Sequence, residues 1–454
     1  MKKTILILTA MLGMGMYASA QDSDPDSKYI RNSLYMLKLD MAADDEEYAH
    51  AYDIMNKTFD GIDFAKRYER YNDFSLANRH IDWTKVPSAT SEEMDAIAKE
   101  TKKDQLLKKA LTDMGIKVDP ISEREYAARI LKYFNENKVA NQLVAKWHIA
   151  AGQDPSKVTK WDGELSVIME LGMKGLSEEA RANAKASENL INACSNSENK
   201  LMNTTYVCVN NYRMLTAKEK SATPIALAEV ALQFMPGPAK IAGQAAVTAA
   251  KMAAEKTKGY FVKTNAYLFK LDWNQEKNDA FYKDYWDAPT SYTDKANYTL
   301  TYVGKSSKTA GAGMTLKASK VDELTARGAI RATDAAFAAL QRDNEEFRPM
   351  CSLHAIDGKL GAYIGKKEGI KDGDKFDVFM YEEKTANNGE WKKIGTIKVA
   401  KNSVWDNTEG AGQTIEDAAQ DGDEEASNNT LTYTVFDGKP SKKIGDGCMI
   451  RLAK

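Results

Sequence analysis

Four histidines, four cysteines and a dense set of carboxylates are the residues of this chain best equipped for chemistry. His50, His80, His148 and His354 stand alone in sequence, with no H-E-x-x-H pair to hold a catalytic zinc. Cys194, Cys208, Cys351 and Cys448 are too widely spaced for a zinc pattern. In an oxidising compartment Cys351 and Cys448 could form a disulfide that staples the C-terminal region. The alternative is four buried thiols acting as small hydrophobes. Asp421, Asp423 and Glu425 alternate as hard-cation ligands do, yet no complete calcium loop follows. The rings of Tyr68, Tyr71 and Phe74 could stack on a glycan, although such residues more often wedge between amphipathic helices. No G-x-S-x-G elbow, P-loop or strand-borne dinucleotide fingerprint is present. A glycosidase-type carboxylate pair stays open, because 65 Asp and Glu offer many spatial pairings that sequence order does not reveal. No catalytic residue, metal ligand or cofactor is assigned.

The elements that would position such residues begin after a leader. Lys2 and Lys3, an apolar run from Ile5 to Met16 and Ala18-Ser-Ala20 read as a signal peptide over 1–20. Its apolar run is too short to span a bilayer, for which about 20 residues are needed. Gln21 follows the cleavage site, so no lipid-bearing cysteine does, and the expected destination is the periplasm or the cell exterior. A formal net charge of −2 gives no field for nucleic acid. No later apolar run is long enough to be transmembrane.

Residues 21–150 read as a helical region. Ile30, Leu34, Leu37 and Met41 fall on one helical stripe, and Thr90 with Glu93 and Ser122 with Glu125 have capping-box spacing. Residues 151–350 read as a mixed helix and sheet region. Strands are predicted over 204–210, 260–273 and 296–304, and a long helix over 321–347 ends before Pro349. A helical hairpin over 223–258 starts at Thr223-Pro224 and breaks at Pro236-Gly-Pro238. Its alanines could face a membrane or a partner, but core packing is the simpler expectation.

Residues 351–454 read as a small β-barrel-like domain. Lys371-Asp-Gly-Asp374 makes a turn, after which Phe376, Val378 and Met380 point inward. Asn387-Asn-Gly389 signals a hairpin, and 444–452 repeats the spacing of 370–378. An acidic loop over 406–429 interrupts this region.

Six pieces carry a resemblance to a family. They are Arg31-Asn-Ser-Leu-Tyr35, Tyr71-Asn-Asp-Phe-Ser-Leu76, Asn203-Thr-Thr-Tyr-Val-Cys-Val-Asn-Asn211, Tyr267-Leu-Phe-Lys-Leu-Asp-Trp-Asn274, Ile364-Gly-Lys-Lys-Glu-Gly-Ile370 and Val404-Trp-Asp-Asn407. The chain resembles a family of secreted Bacteroidetes proteins of unknown function, over most of its length. Its last region resembles the small C-terminal β-domain of the flagellar T-ring protein, and its middle is similar to the curli secretion-channel family. The element pattern reads as an α+β multidomain protein. The likenesses imply an assembly or binding role in the cell envelope, and a non-catalytic protein that binds other proteins is the leading expectation. A glycan-binding protein and a hydrolase with an unrecognised carboxylate pair are the alternatives.

Overall fold

The computed structural model describes residues 29–30, 32–43, 45–68, 79–117, 119–150, 152–163, 202–256, 258–313, 321–385, 388–409 and 431–453. Residues 1–20, where a signal peptide is expected, lie outside them. The protein is mixed α/β, with three sheets among the described residues.

The described residues open with β1 (Tyr29–Ile30) and β2 (Ser33–Asp40), where apolar spacing predicts a helix. The misreading has a physical cause. Leu34 and Met36 enter one core while Tyr35, Leu37 and Leu39 enter another, so β2 is buried on both faces. A doubly buried strand is a continuous apolar run, which satisfies helical spacing as readily as its own. Helices α1 (Ala49–Gly61) and α2 (Phe64–Tyr68), strand β3 (His80–Asp82) and helices α3 (Ser91–Ile97), α4 (Lys102–Asp113), α5 (Glu123–Glu136) and α6 (Val139–His148) follow. Thr90 and Glu93 close their capping box, and Ser122 accepts from the Glu125 amide.

Next come β4 (Thr205–Thr216), the helices α7 (Ala217–Leu232) and α8 (Gly237–Lys256), and β5 (Tyr260–Leu271). Helices α9 (Gln275–Asp284) and α10 (Pro289–Lys295) then lead to β6 (Leu300–Gly311) and α11 (Val321–Asp343). The main sheet has the order β3-β2-β4-β5-β6, with β2 parallel to both neighbours and β4, β5 and β6 antiparallel. It draws strands from both sides of residue 150. One face is sealed by α5, α6, α9 and α10 through Ile130, Trp147, Phe281 and Tyr292. The other is sealed by α1, α2 and α11 through Met55, Phe59, Tyr68 and Phe337. Two apolar cores thus sandwich one sheet.

The remaining strands are β7 (Met350–Ser352), β8 (His354–Ile356), β9 (Lys359–Ala362), β10 (Lys375–Thr385), β11 (Asn388–Lys398), β12 (Thr434–Phe436) and β13 (Met449–Leu452). They form two open sheets, β1-β7-β13-β10-β11 and β12-β9-β8, around a shared core that includes Phe376, Val378, Phe436 and Ile450. Among the described residues no sheet closes into the expected small barrel. Closure needs strands long enough to tilt and stagger, and β8, β9 and β12 have only three or four residues. The two Asp-Gly turns form as their spacing predicts, with Gly373 at φ 79 and Gly447 at φ 82. The similar strands that follow these turns pair with each other, Phe376 opposite Leu452 and Val378 opposite Ile450. Met380 is exposed instead of inward, because a bulge after Val378 turns Phe379 into the core. Arg342 of α11 grips Asp374 of the first turn with both guanidinium ends, at 2.6 and 3.1 Å.

Candidate protein-binding surface

The hairpin of α7 and α8 departs most from the rest of the molecule. Thr216 caps α7, accepting from the Glu219 amide while Glu219 accepts from the Thr216 amide. That box starts the helix well before Thr223-Pro224 and leaves Pro224 in its interior. Helix α7 is anchored, with Ala222, Ala226 and Val230 buried against its neighbours. Pro236 and Pro238 then break the chain direction, and α8 runs back along α7. The core packing expected for this hairpin is reached only by α7. In α8, Val247 is the one buried residue.

The helical wheel explains why α8 is unusual. Gly243, Val247, Ala250 and Ala254 recur at i, i+4, i+7 and i+11 and face α7, where Leu232 occupies the space that a Cβ on Gly243 would need. Two residues round, on the opposite side, Ile241, Ala245, Thr248 and Met252 repeat the same spacing. A helix with one apolar face and an opposite face broken only by Thr248 is built to be covered on both. Only one is covered. Ile241 is 70% exposed and Met252 57%, with Phe234 at the hairpin tip at 68%. An apolar cleft of about 990 Å³ also runs between the helices, lined by Pro224, Ile225, Met235, Ala242 and Ala246.

Electrostatics adds direction. Residues 217–258 carry Lys218, Lys220, Lys240, Lys251, Lys256 and Lys258 against Glu219, Glu229 and Glu255, a positive balance on a chain whose net charge is −2. Lys251 bonds Glu229 at 2.5 Å across the hairpin, and Lys220 lies 3.8 Å from the centre of the Phe261 ring. Among the described residues no helix is long and apolar enough to cross a membrane.

The residues singled out in sequence fall elsewhere. Tyr68 is a core residue, 2% exposed and stacked on Phe337 at 4.3 Å, so it offers no ring to a sugar. Its hydroxyl donates to Asp334 at 2.9 Å, and Arg67 grips the same carboxylate through Nε and Nη2. Tyr71 and Phe74 lie outside the described residues, as do Cys194, Asp421, Asp423 and Glu425 of the acidic loop. Cys351 and Cys448 are buried thiols in no disulfide. Cys351 pairs with Ile450, while the Leu353 amide bonds the Cys448 carbonyl, so the thiols are diagonal across β7 and the start of β13. Diagonal Cα atoms lie about 7–8 Å apart, beyond normal disulfide reach.

His148 is fully buried, and burial pushes its pKa down to about 3. His50 meets Asp322 at the surface. His80 lies between Asp40, 2.8 Å from Nδ1, and Asp60, 2.6 Å from Nε2. Burial opposes charge on this ring, and the two carboxylates outweigh it and hold the pKa above the ordinary value. With both nitrogens engaged, the imidazole acts as a clasp between β2, β3 and the end of α1. Among the described residues no group of three or more His, Cys, Asp or Glu is placed to hold a metal ion.

Sequence reasoning recognised the hairpin but not its bare face. The second apolar stripe of α8 was the available signal. No protein family, curated protein or solved structure matches this chain.

Proposed function

We propose that this is a non-catalytic exported protein of the cell envelope, whose α7–α8 hairpin holds an apolar helix of a partner protein with acidic flanks. The observation that carries the reading is the doubly apolar α8, with one face on α7 and the other bare. Helix-in-groove recognition uses anchors at this spacing, and the lysine excess favours an acidic partner over a second, equally basic copy. Export rests on the leader-like residues 1–20. The family resemblance stated above points the same way, by analogy alone.

A photo-crosslinking amino acid at Met252, in the full chain within the exporting cell, tests the proposal. The expected product is one discrete adduct whose partner peptide is an amphipathic helix flanked by Asp or Glu. Ile241→Glu should abolish it while leaving the melting curve unchanged. Adducts with lipid alone, with another copy of this chain, or none at all would overturn the reading.

A further inference from the structure

A second feature lies on the α5 side of the main sheet and is independent of the hairpin. The register sets Asn211, Asn265 and Ser307 side by side on β4, β5 and β6, and Arg213, Lys263 and Thr309 in the next row on the same face. The row below continues with Val209, Tyr267 and Lys305. Asn211 is fully buried, yet neither atom of its amide has a hydrogen-bond partner. The buried Tyr267 hydroxyl is likewise unpartnered. Leaving such groups unmade is costly, and native interiors rarely accept it.

The charges are unequal. Arg213 bonds Asp119 at 3.1 Å, and Lys305 is paired with Glu123. Lys263 lies among these charges and feels the pull of Glu123 and Asp119, but makes no direct hydrogen bond or ion pair among the described residues. We propose that this patch binds a small organic carboxylate carrying hydroxyl or amide groups, with Lys263 holding the carboxylate and Asn211 and Tyr267 its polar neighbours. One surplus cation matches a monoanion better than a dianionic phosphate. Burial lowers the pKa of Lys263, with Lys305 and Arg213 adding to this and Glu123 and Asp119 opposing it.

Calorimetric titration of the full chain with glucuronate, acetate, glucose and inorganic phosphate tests this. Glucuronate should bind and glucose should not, and Lys263→Met should weaken glucuronate by at least about tenfold. Trinitrobenzenesulfonate labelling of the unaltered chain, read by peptide mass spectrometry, avoids reliance on a variant's folding. Glucuronate should protect Lys263, and glucose should not. The proposal is overturned by unchanged binding in folded Lys263→Met, by phosphate outcompeting glucuronate, or by neither carboxylate binding nor protecting at millimolar concentration. Acetate binding as tightly as glucuronate would remove the role given to Asn211 and Tyr267.

Discussion

Two alanine-rich helices of similar length meet opposite fates in this molecule. Helix α11 has 23 residues, of which thirteen are buried, including Arg331, Thr333 and Asp334. Helix α8 has 20 residues and buries Val247 alone. Alanine supplies helix propensity to both, so propensity does not separate them. Anchors do. Helix α11 sets Phe337 and Leu340 into the sheet core and carries Asp334 to meet Arg67 and Tyr68. At Gly328 it approaches the Gly311 carbonyl too closely for any Cβ. Helix α8 has comparable large residues in Ile241 and Met252, but they point away from the body of the protein. Burial is decided by what faces the helix, and the bare apolar face of α8 is the ground for the proposed partner contact.

The comparison breaks most severely at Asp334. Asp334→Ala should cost about 3 kcal/mol, because it leaves the largely buried Arg67 guanidinium with Glu409 alone and takes the acceptor from the buried Tyr68 hydroxyl. Urea unfolding measures this, and a loss below about 1 kcal/mol would place α11 in the same class as α8.

The second test concerns the clasp on the α1 and α11 side of the sheet. The raised pKa of His80 means its contribution is fully present below the ordinary histidine value and is lost as pH rises through the folded value. Asp40 works in the opposite sense. Burial raises its pKa, but hydrogen bonds from His80 and Lys38 outweigh this, so its contribution is lost as pH falls through its depressed value. The urea midpoint of the unaltered protein should exceed that of His80→Gln at about pH 6, and the gap should narrow by about pH 9. A gap that is constant or widens with pH would remove the charged clasp.

The smallest effect belongs to the bare face. Ile241→Ala combined with Met252→Ala should shift stability by no more than about 0.5 kcal/mol. A larger loss, measured by thermal unfolding, would mean that these side chains pack on the protein itself.

What the sequence made legible follows from how local each feature is. Turns at Asp372-Gly373 and Asp446-Gly447, the Thr90 capping box and strands β4 and β5 are set by neighbours a few residues apart, and all were readable. Strand β2 was not, because burial on both faces erased the alternation that marks a strand. The barrel expectation had no access to strand lengths or pairing. The patch around Lys263 was invisible as a site, since its residues come from three strands far apart in sequence. A signal existed: Asn211 with Arg213, Lys263 with Asn265 and Lys305 with Ser307 place polar residues at alternate positions of β4, β5 and β6. Only the register showed that the three pairs share one surface.

The short strand β1 has a bearing on the order in which the protein can be completed. Tyr29 and Ile30 form the edge of the sheet by pairing with Cys351 and Met350. The first described residues to leave the ribosome therefore wait for partners made about 320 residues later. Until then that edge of the C-terminal sheet has no cover, and β7 is open to pairing with another chain. Closing it depends on a contact of very long sequence separation, which forms slowly because the intervening chain must be brought round first. A nascent or truncated chain without β1 would thus expose a sticky strand edge that the finished protein conceals.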